Sequence, residues 1–411
     1  MEPPPPTAVR GNRWIDLGAP PLGGWAPHRT VTVVIPCYQG SEKLAITVAA
    51  LDRQTYPSEL LSVVVVDDGS DPPLRPPATH RVRVEMARQE RSGFGIARAR
   101  NLGAELASGD ILIFLDSDMI PEPQWAEAHA RWHHLVGDAL TLGFRRHVEV
   151  SGLTADDVRI AAESGSLHQL FAGRLQQRPE WIEFHMERTN ELTRPETDLF
   201  RVVTGGNLGM RRDTVLELGG FDTGFDRWGA EDTELGYRAF TWGALLVPER
   251  AAAAWHQGLG TLPDPGEARA LEEQRSLLAH LIAEPSFRPR VAGRSYRVPM
   301  VVVRVDGSGA AAGDVAGSVE SAVGSRLHDL VVSLTVPDSH PDAVWLRRRF
   351  EGDSRVLISG RPDDMERQPF APVRVLLPAG ARLARGALDR LLDRLQGRGA
   401  VEVPLGSVAL V

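Results

Sequence analysis

The sequence predicts an α/β fold with a mixed, mainly parallel sheet flanked by helices, and three observations support this prediction. Short β-branched runs alternate with stretches of helical spacing between residues 31 and 116. Turn residues such as glycine, proline and aspartate separate these stretches. Alternation at this spacing is typical of βαβ units, whose strands lie parallel. Because ligands on such sheets bind beyond the carboxyl ends of the strands, the residues at those ends are the first candidates for a functional site.

The elements of the larger, amino-terminal part follow the pattern of apolar and turn residues. Residues 1–29 are rich in proline and glycine and are predicted to form an irregular arm. Strands are predicted for four apolar or alternating runs, at 31–36, 61–68, 81–86 and 110–116. Helices are predicted where apolar residues recur at helical spacing, at 41–54, 95–109, 211–220 and 265–282. Residues 145–200 are mixed and helix-leaning, and two more apolar runs cover 244–248 and 251–258.

A second, smaller α/β domain is predicted for residues 295–411, beyond a proline- and arginine-rich boundary at 284–294. Its segment 373–395 parallels 111–133, which indicates a weak internal repeat of the first half-domain. In this second copy the sequence PAG stands at 378–380, where the first copy has DSD, so we expect the repeat to be degenerate and inert. An unrelated small α/β domain is the alternative.

Composition excludes several classes of function. The net charge of −8 and the pI near 5.9 argue against binding of nucleic acid, which needs a basic surface. Lysine occurs once, at Lys43, without a phosphate-binding glycine loop before it, so Schiff-base enzymes and P-loop NTPases are excluded. One cysteine cannot form an internal disulfide. With no signal peptide and no transmembrane segment in the sequence, we expect a cytoplasmic protein and leave peripheral membrane contact open.

Acidic groups follow two of the buried strands. Asp116 and Asp118 are one residue apart after ILIFL, a spacing that lets two carboxylates meet one Mg²⁺ or Mn²⁺ ion bridging a diphosphate. Asp67 and Asp68 follow the run SVVVV, where a carboxylate can accept hydrogen bonds from a nucleobase or a ribose. For both groups the alternative is an ordinary solvated turn.

Three further positions can carry chemistry. Glu231 and Asp232 are adjacent near the start of a predicted helix, where the helix dipole favours negative charge and one carboxylate can act as a general base. Trp228, just before them, can stack on a sugar ring. His256 can supply a nitrogen ligand to the cation site that Asp116 and Asp118 begin. The alternative for Trp228 is a partly buried core residue, and for His256 it is a surface or core residue whose hydrogen bonds are satisfied.

These motifs occur together in one order. The segments VVIPCYQG, VVVDDGS, GIARARNLG, ILIFLDSDMIP, TGGNLGMRR, GGFDTGFDRWGAEDTELGYR and AWHQ are similar to those of family 2 glycosyltransferases, which have the Rossmann-like GT-A fold. The later motifs resemble the carboxyl-terminal module shared by galactosyltransferases and polypeptide N-acetylgalactosaminyltransferases. The resemblance covers about 30–282. It implies a catalytic domain at 30–285, with a nucleotide-binding half (30–144), an acceptor-side insert (145–200) and a catalytic half (201–285).

The resemblance also implies roles for individual residues. The nucleotide and donor sugar would be bound by residues at the strand ends and in the glycine-rich segment: Pro36, Tyr38, Asp67, Asp68, Arg100, Asn101, Asp116, Gly205, Gly206 and Asn207. Asp116, Asp118 and His256 would hold a divalent cation, Mn²⁺ or Mg²⁺. Asp232 would be the catalytic base, with Glu231 contacting a sugar and Trp228 contacting the acceptor.

The implied reaction is inverting transfer by single displacement, from a nucleotide-sugar with UDP as the expected nucleotide. The sugar would be a hexose or an N-acetylhexosamine, and the acceptor a glycan, a lipid-linked glycan, a peptide or a small molecule. A homo-oligomer is left open. The QxxRW motif of processive synthases is absent after EDTELGYR. Two rival readings remain: a non-catalytic nucleotide-sugar-binding scaffold, and a sugar-phosphate nucleotidyltransferase.

Overall fold

The computed structural model describes residues 11–165, 167–260, 265–289, 294–360 and 370–395. The chain divides into two compact units. The first holds the chain up to Pro195 together with Leu199–Gln274, and the second holds Glu196–Asp198 and the chain from Arg275 onward. The start of the predicted arm (1–10) and the end of the predicted second domain (396–411) lie outside the described residues.

The first unit contains nine strands and most of the helices of the described chain. The strands are β1 (Val31–Cys37), β2 (Leu61–Asp67), β3 (Arg83–Arg88), β4 (Ile111–Leu115), β5 (Met119–Pro121), β6 (Ala139–Val148), β7 (Gln176–Gln177), β8 (Asn207–Arg211) and β9 (Leu245–Gln257). The helices are α1 (Ser41–Leu51), α2 (Ile96–Leu106), α3 (Trp125–Leu135), α4 (Ala155–Glu163), α5 (Leu167–Leu170), α6 (Glu180–Arg188), α7 (Arg212–Glu217) and α8 (Glu231–Trp242). The next helix, α9 (Pro265–Leu281), begins in the first unit and ends in the second.

The strands of this unit form one mixed sheet in the order β3-β2-β1-β4-β8-β6-β9-β5, with β7 beside β6. Pairing is parallel across β3, β2, β1 and β4 and again between β6 and β9. It is antiparallel where β8 lies between β4 and β6, and at the β5–β9 pair. The predicted α/β architecture with a mixed sheet flanked by helices is therefore confirmed.

Burial explains why the first strands form where the sequence predicts them. All seven residues of β1 and all five of β4 are buried, as expected for central parallel strands that are covered on both faces. The apolar residues of β1, β2 and β4 pack with α1 and α3 in one hydrophobic core. The carboxyl ends of these three parallel strands consequently lie at one edge of the sheet, and the acidic motifs follow β2 and β4 there.

The segment 244–258 differs from the prediction. Instead of two apolar runs, it forms the single strand β9, which pairs with β6 along its whole length. The register shifts where Gly143 pairs with Glu249 and Phe144 pairs with Ala253, so β9 accommodates extra residues in a bulge. The polar Glu249 and Arg250 therefore interrupt the apolar pattern without ending the strand.

The described part of the amino-terminal arm has a short 3₁₀ turn at Trp14–Leu17. The Trp14 indole donates a hydrogen bond to the carbonyl oxygen of Glu191 at 2.8 Å. The Trp25 indole donates one to Glu127 Oε1 at 3.0 Å. These tryptophans anchor an otherwise irregular segment to the first unit.

The second unit has a four-stranded sheet. Its strands are β10 (Val301–Asp306), β11 (Leu330–Thr335), β12 (Val356–Ser359) and β13 (Val373–Leu376), and its helices are α10 (Ala312–Val323), α11 (Ala343–Phe350) and α12 (Ala387–Leu395). The strands are all parallel in the order β12-β11-β10-β13. This is the order and orientation of β3-β2-β1-β4, which is the arrangement that an internal repeat predicts.

Among the described residues, no helix is long and apolar enough to cross a membrane.

Candidate functional site

Arg100 is the centre of a buried ionic cluster at the edge where the parallel strands end. It lies on α2, its side chain is 2% exposed, and its guanidinium joins two of the predicted site residues. Nη1 donates a hydrogen bond to Glu231 Oε1 at 2.7 Å, and Nη2 donates one to Asp116 Oδ1 at 2.9 Å. One arginine thus ties the end of β4 to the start of α8, which are distant in sequence.

The environment of this cluster shifts the ionisation of its members. Burial lowers the pKa of Arg100, but the carboxylates of Asp116, Glu231 and Asp232 outweigh it and raise the pKa overall. Burial, followed by the charge of Asp232, raises the pKa of Glu231 to about 7, against the opposing effect of Arg100. Glu231 Oε2 is buried and has no hydrogen-bond partner within the described protein. Glu231 is therefore an enclosed anchor for Arg100 rather than a solvent-facing base.

Glu231→Gln is expected to change how stability depends on pH. Because the pKa of Glu231 is raised from 4.5 to about 7, the folded chain holds a proton there that the unfolded chain releases. The resulting stabilisation is complete below pH 4.5 and is lost as the pH rises to about 7. Urea unfolding across this interval should show the wild-type free energy of unfolding falling relative to that of the variant. Parallel curves would contradict the raised pKa.

Asp232 occupies a different environment from its neighbour, although both lie in the first turn of α8. Its carboxylate is only partly buried and accepts hydrogen bonds from the Gly205 N–H at 3.0 Å and from the Thr233 N–H at 2.7 Å. Ala230, which precedes Glu231 at the start of the helix, has a φ of 85° in the left-handed region, which is strained for a residue with a side chain. The turn into α8 thus fixes Glu231 inward while Asp232 lies next to the glycine-rich segment.

The two glycines of that segment are required by close approach. A Cβ on Gly205 would lie 2.5 Å from Arg100 Nη1, and one on Gly206 would lie 2.1 Å from Asp116 Oδ2. The Gly206 carbonyl oxygen also accepts a hydrogen bond from the Asp116 N–H at 3.2 Å. Gly205 and Gly206 therefore form a floor that only glycine allows, between Asp116 and Asp232.

Asp118 and His256 meet beside this floor. Met119 pairs with His256 across the β5–β9 ladder, which brings His256 Nε2 to 3.4 Å from Asp118 Oδ2. The Lys43 ammonium lies 3.3 Å from the same carboxylate oxygen. Each of the two predicted ligands is about a quarter exposed, so both are accessible from solvent.

The three predicted metal ligands are only partly assembled. Among the described residues, no group of three histidine, cysteine, aspartate or glutamate side chains is arranged to hold a metal ion. Asp118 and His256 are together, whereas the Asp116 carboxylate is held by Arg100. The donor set of carboxylate oxygens and an imidazole nitrogen nevertheless fits Mn²⁺ or Mg²⁺, and only Ser117 separates Asp116 from Asp118.

The Asp67–Asp68 pair lies at the end of β2, and both side chains are buried. Asp67 accepts hydrogen bonds from the Ser70 N–H at 2.8 Å and from Arg88 Nη1 at 2.7 Å. Burial alone would raise the pKa of Asp67, but these partners and the Leu74 N–H lower it overall. Asp67 therefore holds the turn after β2 in place.

Asp68 and Tyr38 are joined by an arginine that sequence reasoning missed. Arg91 Nη1 donates a hydrogen bond to Asp68 Oδ2, and its guanidinium carbon lies 3.6 Å from the centroid of the half-exposed Tyr38 ring. Gln89 Nε2 donates a second hydrogen bond to Asp68, at 2.6 Å. Pro36 is buried in β1, two residues before Tyr38. A half-exposed aromatic ring and a buried carboxylate thus both contact Arg91.

Two predicted donor-binding residues have their side chains in structural roles. Asn101 exchanges two hydrogen bonds, each of 2.8 Å, with the backbone of Phe221. The Asn207 side chain is buried, accepts hydrogen bonds from Trp125 at 2.8 Å and His129 at 2.9 Å, and donates to the Ala252 carbonyl oxygen at 3.0 Å. We therefore leave both side chains out of the proposed donor site. Trp228, in contrast, is 48% exposed in the loop before α8.

Lys43 is a further site residue that the sequence did not reveal. No phosphate-binding loop precedes it in the sequence, which argued against a role in binding phosphate. Its position next to Asp118 depends on how α1 packs against the sheet. The only available signal was that it is the single lysine of the chain. For Arg91 no signal existed, because arginines are abundant throughout the sequence.

Comparison with known proteins gives one family and several relatives. Residues 32–218 match the model of glycosyl transferase family 2. The chain is 25% identical to a chondroitin synthase of Pasteurella multocida over 86% of its own length and 37% of that protein. It is 31% identical to a validoxylamine A glucosyltransferase of Streptomyces hygroscopicus subsp. limoneus over 57% of its own length and 53% of that protein.

A solved mannosyltransferase from Pyrobaculum calidifontis, in complex with GDP-Man and Mn²⁺, aligns with a TM-score of 0.40 at 16% identity, over 68% of this chain and 66% of that one. The chain spans about half or less of the length of the two curated relatives described above. The region 32–218 that matches the family model contains the carboxylates at the strand ends, Arg100 and the glycine floor. The segment 32–218, which is less than half of the chain, therefore matches glycosyl transferase family 2.

Proposed function

We propose that this chain is an inverting, cation-dependent glycosyltransferase that moves a hexose or N-acetylhexosamine from UDP to an acceptor hydroxyl. The observation that carries the proposal is the continuous network from Asp116 through Arg100 to Glu231, with Asp232 beside it on the glycine floor. In this proposal Asp116, which lies against Gly206, serves the leaving group, and Asp232, which accepts a hydrogen bond from Gly205, serves the acceptor. The names of the relatives, which are glycan synthases and glucosyltransferases, support the same activity.

In this proposal Tyr38 and Asp68 bind the uridine, with Pro36 and Asp67 shaping that end of the site. The donor sugar lies over Gly205 and Gly206. We assign the catalytic domain to residues 30–285, which take in most of the first unit, and an accessory domain to residues 295–411. Trp228, exposed in the loop before α8, offers the acceptor an aromatic face.

The chemistry follows from the placement of Asp232. The acceptor oxygen forms its bond to the anomeric carbon as the bond from that carbon to the diphosphate oxygen breaks. Asp232 takes the proton of the acceptor hydroxyl, and the bonding electron pair leaves with the diphosphate. Asp116, Asp118 and His256 would hold the divalent cation, which supplies positive charge to the leaving diphosphate when bound. One displacement inverts the anomeric centre, and no covalent nucleophile is needed.

Binding of UDP is expected to depend on the cation. Calorimetric titration with UDP, CDP, GDP and TDP should show preferential binding of UDP in Mn²⁺, and binding at least about tenfold weaker in EDTA, since a diphosphate beside two carboxylates needs a neutralising charge. Asp118→Asn should reduce the difference between the two conditions.

The possible results separate the parts of the proposal. Equal binding in Mn²⁺ and EDTA would overturn the cation site, and preference for another nucleotide would overturn the UDP assignment. If no nucleotide binds, the glycosyltransferase proposal itself fails. Tight binding without turnover of any nucleotide-sugar would favour a scaffold.

A further inference from the structure

Lys43 lies at the cation end of the site although it has no role in the function proposed above. Its ammonium is 3.3 Å from Asp118 Oδ2, the oxygen that His256 Nε2 also approaches at 3.4 Å. The Lys43 side chain is half exposed, so it is free to take other positions. The oxygen that would hold a cation is thus shared by a positively charged side chain of the protein itself.

The backbone of Lys43 is fixed to both elements that form the cation site. Gln257, next to His256 on β9, donates hydrogen bonds from Nε2 to the Lys43 carbonyl oxygen at 2.9 Å and to Thr47 Oγ1 at 3.1 Å. The Thr47 hydroxyl donates to the carbonyl oxygen of Ser117 at 2.9 Å, between the two aspartates. Thr47 and Gln257 are both buried. The backbone at Lys43 is therefore held in place by hydrogen bonds, while its flexible side chain brings the ammonium to the opening of the site.

When a divalent cation and a diphosphate occupy the site, their charges determine the position of the Lys43 ammonium. A divalent cation on Asp118 repels Lys43 from the carboxylate oxygen, while the fixed backbone keeps its side chain within reach of the site. The anion then available to Lys43 is the diphosphate that the same cation binds. A lysine is suited to this exchange, because its ammonium is a compact charge on a flexible stem and binds phosphate as a point charge.

We propose that Lys43 is a diphosphate-binding residue, which neutralises Asp118 in the empty site and transfers to the diphosphate of the donor when the cation binds. This inference rests on the proposed function and names a residue that positions the leaving group. If Lys43 were only the partner of a surface ion pair, its removal would not weaken the binding of UDP. Asp118 would then bind the cation without competition, and binding of UDP would be unchanged or tighter.

The first test compares nucleotide binding by substituted proteins. In Mn²⁺, Lys43→Gln is expected to weaken UDP binding about tenfold to a hundredfold, the effect of losing one charge-assisted hydrogen bond, and to leave uridine binding unchanged. Lys43→Arg should retain most of the UDP affinity. Arg13→Gln is the matched control, because Arg13 is also an exposed cation paired with an aspartate, at 2.7 Å from Asp16, and lies outside the site.

Since Lys43 is the single lysine of the chain, its ammonium can also be followed directly. Reductive methylation of Lys43, quantified by mass spectrometry of its peptide, should become faster in Mn²⁺ alone and several-fold slower in Mn²⁺ with UDP. Mn²⁺ with uridine should give no protection. Methylation that UDP does not slow, or UDP affinity that Lys43→Gln leaves unchanged or improves, overturns the inference alone. Failure of the wild-type protein to bind any nucleoside diphosphate overturns the proposed function together with it.

Discussion

Asp232→Asn is expected to lower the turnover number about 10²- to 10⁴-fold, the range that general-base catalysis contributes. The carboxylate is partly exposed and is oriented by the N–H groups of Gly205 and Thr233, so the amide keeps the shape of the side chain but cannot accept a proton from the acceptor hydroxyl. Initial rates of UDP release from a UDP-sugar that the wild-type protein turns over give the comparison. The affinity for UDP should stay the same, because Asp232 does not contact the nucleotide in the proposed site.

Asp314→Asn is the matched control for this substitution. Asp314 also lies in the first turn of a helix, α10, and is exposed in the second unit. The same chemical change there should leave turnover at the wild-type level. An Asp232→Asn protein that turns over as fast as the control would show that another group takes the proton. Loss of UDP binding together with turnover would instead indicate that Asp232 shapes the donor site.

The local elements of the first sheet could be predicted because burial leaves a signal in the sequence. Strands β1, β2 and β4 are continuous runs of β-branched and other large apolar residues, and turn residues mark where they end. The position of β8 between β4 and β6 could not be predicted. It depends on antiparallel pairing between segments that are far apart in the chain.

The same division holds for the site. Asp116, Asp118, Glu231 and Asp232 lie at ends of elements, so their neighbourhood followed from the motifs and the resemblance. The difference between Glu231 and Asp232 did not, because it depends on the left-handed backbone at Ala230 and on the reach of Arg100.

Asn207 shows what the motif leaves out. The resemblance implies that it belongs to the glycine-rich floor under the donor sugar, but alternation along β8 directs its side chain into hydrogen bonds with Trp125 and His129 on α3. Its neighbours in space are set by the packing of the sheet on α3, which motif reading does not include.

Arg100→Met is expected to destabilise the protein by about 3–5 kcal/mol, the cost of leaving a buried charge without its partner. Methionine keeps the volume of the aliphatic part of the side chain but lacks the guanidinium carbon, which lies 5.0 Å from the centroid of the Phe221 ring. The carboxylate of Glu231 is 5% exposed and loses its single cationic partner in the cluster. Asp116, at 29% exposure, is solvated in part and contributes less. Urea unfolding at pH 8, above the pKa of about 7 for Glu231, measures the change.

A double substitution separates the ion pair from the packing. In Arg100→Met with Glu231→Gln the buried group is neutral, so much of the lost stability should return, whereas a packing defect at Arg100 would persist in the double variant. Arg100→Lys should fall between the wild-type protein and Arg100→Met, because one ammonium cannot bridge Asp116 and Glu231 as the forked guanidinium does. If Arg100→Met alone left stability unchanged, Arg100 would not be the buried link between the two carboxylates. The site would then need another connection between the end of β4 and the start of α8.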